Sequence, residues 1–194
     1  MKSAAHIKLL VLTLLGLAAA GLLATGCGSG EEEASPPPDY AKKLEGSPAP
    51  LAALHQQSNE LLPGGVDAFN QRIEELNGFP AVVNIWASWC GPCRAEFPYF
   101  QKLSANMGKR VAFLGVNSQD DDASAETFLS THPVPYPSYI DQDKEIATDL
   151  GANFGLPATA FFDADGELTY VKHGEFRDLA DLREHISQYA TGGE

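Results

Sequence analysis

The chain has 194 residues, room for one domain and a further segment. Hydrophobic residues make up 44% of it, enough for a globular core and too many for a disordered protein. A formal charge of -13 argues against nucleic acid, whose phosphates would repel such a surface, and 3 cysteines are too few for a disulfide-stapled secreted domain.

In chain order, Lys2, His6 and Lys8 form a basic start, Leu9 to Leu23 an apolar run, and "LATGCGSG" brings small residues up to Cys27. That is the layout of an export signal. It also resembles the bacterial lipobox, whose cysteine becomes the lipidated first residue of the mature chain; Ala24 departs from the commonest form, which has Leu there. Residues 1–26 are therefore expected to be a lipoprotein signal and Cys27 the lipid attachment point. The alternative is an uncleaved membrane anchor, since the run approaches the length of a span. Either one puts the body at the extracytoplasmic face of a bacterial cell membrane. Three glutamates (Glu31 to Glu33) and "ASPPPD" follow. Like charges and a proline run keep a chain extended, so residues 27–50 are expected to be a flexible tether and residues 51–194 the folded domain. A packed strand or helix in the second half of the tether stays open.

Leu51 to Leu62 is weakly helical and stops at "PGG". Val66, Phe69, Ile73 and Leu76 have amphipathic helical spacing. "AVVNIWA" (Ala81 to Ala87) is the apolar run of a buried central strand. Ala95 to Met107 reads as helix, "RVAFLGVNS" as a second buried strand, Asp122 to Thr131 as helix, "YPSYID" as a short strand and Lys144 to Leu150 as a short helix. "ATAFFDADGELTYVKHG" gives two strands around an Asp-Ala-Asp-Gly turn, and Asp178 to Ala190 a closing helix. Alternating strands and helices closed by a hairpin predict an α/β fold, with a mixed central sheet and helices on both faces.

The chemistry concentrates in "WASWCGPCRAEFP", Trp86 to Pro98. Cys90 and Cys93 follow the strand and open the helix, and Pro92 suits a first helical turn. Unpaired N–H groups and the helix dipole favour negative charge there, hence a thiolate at Cys90; Arg94 adds positive charge one turn on. Cys93 is placed to resolve a mixed disulfide. A c-type haem needs His after the second cysteine, where Arg94 stands. A structural zinc site needs two more ligands, and no second cysteine pair exists. A purely structural disulfide would close too short a loop to stabilise much. Thiol redox exchange without a metal or cofactor is the expectation.

These residues resemble thioredoxin-like proteins, specifically the extracytoplasmic TlpA/ResA type of bacterial thiol–disulfide oxidoreductase. "VVNIWASWCGPCRAEFP" matches the active-site strand and helix, "GLPATAFFDADGEL" the strand that begins at the family's cis-proline (here Pro157), and the lipobox and tether its membrane-attached habit. The resemblance spans about Leu51 to Ala190. It implies a thioredoxin-like fold, protein disulfides as substrates, apocytochrome c among them, and a membrane thiol carrier as electron source. A cis bond at Pro157 would turn the Leu156 backbone outward to pair with an extended peptide. Trp89, Gly91, Pro92, Leu156 and Pro157 are thus the expected substrate-contacting residues. Thioredoxin's buried strand Asp is matched here by Asn84, which carries no titratable proton. The family associates a Glu after the second cysteine with the site, and Glu96 matches it. Cys93 and Glu96 share a helix face, so a buried Glu96 can exchange a proton with the resolving thiol; the alternative is a solvated helix Glu.

Other residues are expected to be structural. Pro98 should kink its helix, Trp86 should pack in the core, and Asp163 and Asp165 belong to a hairpin turn rather than a calcium loop. "DDD" (Asp120 to Asp122) is expected as a solvated loop entering a helix. Two rival functions fit these residues less well. A peroxiredoxin-like thiol peroxidase lacks its Pro/Thr-preceded cysteine here. A copper-delivering thiol module usually has a wider cysteine spacing and a distal His, for which His173 is a loose candidate.

Overall fold

The computed structural model describes residues 37–193. The expected signal, Cys27 and the first part of the tether lie outside the described residues. The described chain begins with two short helices, α1 (Tyr40–Leu44) and α2 (Ala49–Gln56). They correct the expectation of a tether up to residue 50. Asp39 caps α1 by accepting from the Lys42 amide, the Tyr40 hydroxyl donates to the Pro133 carbonyl, and Leu44 is buried. Pro50 sits in the first turn of α2, where a missing N–H costs nothing, and Leu51 and Leu54 are fully buried. One anchoring Leu in a single capped turn leaves no hydrophobic period to detect.

The helix expected over Leu51–Leu62 also ends early. Asn59 adopts a left-handed φ of 66°. Its side chain donates to the Leu129 carbonyl and accepts from the Val134 amide. That clamp redirects Leu61–Leu62 into an edge strand, β1. The remaining elements are α3 (Gly65–Glu75), β2 (Ala81–Trp86), α4 (Gly91–Met107), β3 (Ala112–Ser118), α5 (Asp122–Thr131), β4 (Ser138–Asp141), α6 (Glu145–Asp149), β5 (Ala158–Phe162), β6 (Leu168–His173) and α7 (Leu179–His185), which runs into a π-helical turn at Ile186–Ala190. α4 continues through Pro98 as one helix.

The strands form one sheet in the order β1-β4-β3-β2-β5-β6. β1 through β2 in that order are parallel, whereas β5 is antiparallel to both β2 and β6. Every residue of β2, β3 and β5 is buried, because both faces of the sheet are covered. The period of two sorts β2 between two cores. Val82 and Trp86 join Phe97, Phe100, Phe128 and Tyr136 on one face, together with both redox cysteines. Ala81, Val83 and Ile85 join Leu51, Phe69 and Ile146 on the other. Gly115 of β3 permits a close approach across the first face: a Cβ there would overlap the Ser138 hydroxyl, which accepts a 3.2 Å hydrogen bond from the Trp86 indole. The β5–β6 turn is held by Asp163, whose carboxylate accepts from the Asp165 and Glu167 amides.

Candidate active site

β2 delivers the chain at Trp86 to a short loop, and α4 starts immediately after Cys90. Cys90 is the N-cap residue of α4, and its Sγ accepts from the Cys93 amide at 3.2 Å. Cys90 and Cys93 form a disulfide with Cα atoms 5.3 Å apart. Both cysteines are buried, the first 4% exposed and the second 1%. On reduction, the free N–H groups of the first turn and the positive end of the dipole face Cys90 and favour its thiolate.

The loop before the cysteines is tied from below. Asp120 accepts from the Ser88 amide at 2.6 Å, the Ser88 hydroxyl at 2.9 Å, the Asn117 side-chain amide at 2.9 Å and the Asp121 amide at 3.0 Å. Asp120 is buried, which corrects its expectation as part of a solvated loop; only its neighbours behave as expected, Asp121 capping α5 and Asp122 opening it. Acidic tripeptides usually mark solvent, and nothing local in the sequence pairs Asp120 with Ser88, thirty-two positions away. Trp89 is 62% exposed, and its indole N–H donates to the Gln119 carbonyl, which fixes the ring beside Cys90. Gly91 and Pro92 are exposed between the cysteines. Arg94 reaches back over the loop to donate to the Ser88 carbonyl, with its guanidinium 5.4 Å from the Phe128 ring centre. Ser88, Trp89, Arg94, Ser124, Thr127 and Phe128 line an open groove of about 510 Å³ next to the disulfide.

Leu156–Pro157 is a cis peptide. It immediately precedes β5, whose Ala158 pairs with Ile85 near the end of β2, so it lies at the same end of the two strands as the cysteine loop. Leu156 is half-buried against the core cluster that contains both cysteines. Phe154, which the sequence did not single out, is 86% exposed and packs edge-on against His173.

Glu96 is 1% exposed, so it is not a solvated helix residue. One carboxyl oxygen, Oε2, accepts from the Phe176 amide at 3.0 Å; the other, Oε1, is buried with no hydrogen-bond partner. Burial pushes its pKa up to about 8, against the opposing pull of the Phe176 amide and the positive Lys172. Asn84 of β2 is fully buried, and the strand's period of two puts it on the same face as Val82 and Trp86. Among the described residues, no group of three or more His, Cys, Asp and Glu side chains could hold a metal ion.

A buried strand that ends in a helix-capping disulfide, beside a cis-proline and one helical turn before a buried carboxyl, is an arrangement for thiol exchange. The Redoxin family model matches residues 44–186, most of the chain. The chain belongs to the Redoxin family. Thiol:disulfide interchange protein DsbE of Yersinia pestis is 34% identical over 181 residues, covering 93% of this chain and 89% of that protein. Thiol-disulfide oxidoreductase ResA of Oceanobacillus iheyensis is 30% identical over 130 residues, 66% of this chain and 65% of that protein. Among solved structures, a secreted Mycobacterium tuberculosis disulfide oxidoreductase homologous to Escherichia coli DsbE is similar at a TM-score of 0.53 and 26% identity, over 59% of this chain and 85% of that one. This redoxin has the thioredoxin-like fold and is a thiol–disulfide oxidoreductase.

Proposed function

We propose that this redoxin is a lipid-anchored, extracytoplasmic reductase of disulfides in partner proteins, with apocytochrome c as a substrate. A membrane thiol carrier supplies its electrons. Cys27 carries the anchor, and Cys90, Cys93 and Glu96 carry the chemistry. The single observation behind the roles of the cysteines is their asymmetry at the helix start: Cys90 is the N-cap whose Sγ accepts from the Cys93 amide, and Cys93 lies inside the first turn.

In the forward reaction the Cys90 thiolate attacks a substrate disulfide. One substrate sulfur leaves as a thiolate and the other stays bonded to Cys90. Cys93 then gives its proton to Glu96 and attacks the Cys90 sulfur. The second substrate thiolate departs and takes up a proton, and the enzyme is left with its own disulfide. Trp89, Gly91 and Pro92 present a surface beside Cys90. The Leu156 backbone before Pro157 offers hydrogen bonds to an extended substrate segment. The Gly-Pro pair between the cysteines resembles that of thioredoxin, at the reducing end of the family near about -270 mV.

Trapping tests this assignment. In membranes of the native host, Cys93→Ser is expected to accumulate mixed disulfides with its substrates and Cys90→Ser almost none. Mass spectrometry of the trapped species identifies the substrate, and their recovery with the membrane fraction tests the anchor. Equal trapping by the two variants overturns the order of attack; trapped partners without any apocytochrome c overturn that substrate.

A further inference from the structure

Three buried polar side chains on the cysteine-bearing face of the sheet share one property. Glu96 Oε1, the Tyr136 hydroxyl and both side-chain polar atoms of Asn84 make no hydrogen bond of good geometry, although the Asn84 side chain acts on the Tyr136 hydroxyl as a nearby donor would. Tyr136 is 1% exposed and Asn84 0%. The Tyr136 hydroxyl feels the Asn84 amide of β2 and the charge of the Glu96 carboxyl of α4, with Tyr40 of α1 as its other titratable neighbour. Glu96 in turn faces Lys172 of β6 and Glu175 of the following loop. A buried polar atom left unpaired costs about 1–3 kcal/mol, and three such groups gathered under one reactive site call for a reason.

Their chemistry is complementary. The disulfide in this structure is closed, and a neutral Glu96 needs no second donor at Oε1. The reaction needs the carboxylate, the form that accepts the Cys93 proton. A buried carboxylate with one backbone donor is poorly held. Tyr136 has an O–H to give, and Asn84 has an N–H to give to the Tyr136 oxygen. Burial raises the Tyr136 phenol well above its ordinary value, so it remains a donor and does not carry the proton itself.

We propose that Tyr136 and Asn84 are positioning residues for Glu96: Asn84 Nδ2 donates to the Tyr136 oxygen, the Tyr136 hydroxyl donates to Oε1 of the ionised carboxylate, and the chain so formed sets how readily Glu96 takes the Cys93 proton. This rests on the role assigned to Glu96 above. Hydrogen bonds to a charged acceptor exceed those to a neutral one, so the chain favours the ionised state.

The test uses the full-length reduced protein mixed with excess oxidised glutathione, with the Cys90–glutathione intermediate followed by rapid quench and mass spectrometry across pH. In wild type its release is expected to rise with pH along the Glu96 titration. Tyr136→Phe, which keeps the ring, is expected to move that midpoint up by about one pH unit, a loss of about tenfold at neutral pH. Asn84→Leu is expected to move it the same way by less, and serves as the second variant if one of the two is unstable. In a Glu96→Gln background, Tyr136→Phe is expected to change nothing further. An unshifted midpoint in both variants, while Glu96→Gln abolishes the titration, overturns the positioning role and leaves Glu96 in place. An equal loss from Tyr136→Phe in the Glu96→Gln background assigns the effect to packing and also overturns it. If Glu96→Gln releases glutathione like wild type, both the role of Glu96 and this proposal fall.

Discussion

Glu96 shows how one side chain couples stability to chemistry. Its ordinary pKa of 4.5 rises to about 8, chiefly because burial penalises the charged form. The unfolded chain releases this proton from pH 4.5 upward, whereas the folded protein keeps it until about 8. The stability that comes from holding the proton is therefore full below pH 4.5, declines as pH rises through this window and levels off above about 8. The decline sums to roughly 3–5 kcal/mol if burial acts in full. Glu96→Gln has no proton to lose. Urea unfolding of the oxidised protein is expected to weaken from pH 5 to pH 8 more steeply in wild type than in this variant, and parallel curves would mean that the carboxyl ionises freely in the fold. A site that must give and take a proton thus costs stability at the pH where it works.

At the scale of elements, the active-site loop depends on a carboxylate borrowed from the next crossover. Asp120, between β3 and α5, satisfies the Ser88 amide and hydroxyl and the Asn117 side chain. Asp120→Ala leaves these buried donors without an acceptor. Unfolding stability is expected to fall by about 2–4 kcal/mol, with faster amide exchange at Ser88 and Trp89 than in the rest of β2 and α4. A loss confined to a few tenths of a kcal/mol would show that water replaces the carboxylate. The element also explains the posture of Trp89, because the Gln119 carbonyl that holds its indole belongs to the same turn as Asp120. Loop, indole and disulfide are therefore positioned as one piece.

Across the whole molecule, the sheet is closed on both faces, with Leu51 and Leu54 of α2 joining one of its two cores. Leu44 is buried and α1 packs against α4, the helix that carries Cys90 at its start. Deleting residues 28–47 while keeping residues 1–27 is expected to lower stability by about 2–3 kcal/mol, roughly the burial of Leu44 plus the Tyr40–Pro133 hydrogen bond. Exchange of the Cys90–Cys93 pair should persist, since β2 and the first turn of α4 are untouched. Equilibrium denaturation beside a glutathione exchange assay checks both; unchanged stability would return this segment to the role of a tether.

The amino-acid sequence alone determined what is local. Helical spacing in Val66, Phe69 and Ile73, the apolar run before Trp86, the Asp-Ala-Asp-Gly turn and a cysteine pair opening a helix are encoded in near neighbours, so order, fold class and the place of the disulfide are legible there. The resemblance to thioredoxin-like proteins added the cis bond at Pro157 and pointed to Glu96. Only the tertiary structure decided what depends on distant partners. Leu44 is core because Tyr40 reaches Pro133, and Leu61–Leu62 is strand because Asn59 is clamped to Leu129 and Val134. Asp120 is buried because Ser88 and Asn117 surround it. The burial of Asn84, Glu96 and Tyr136 belongs to the same class: β2, α4 and the loop before β4 bring their polar groups into one dry core, where desolvation, invisible in any local pattern, raises the proton affinities of Glu96 and Tyr136.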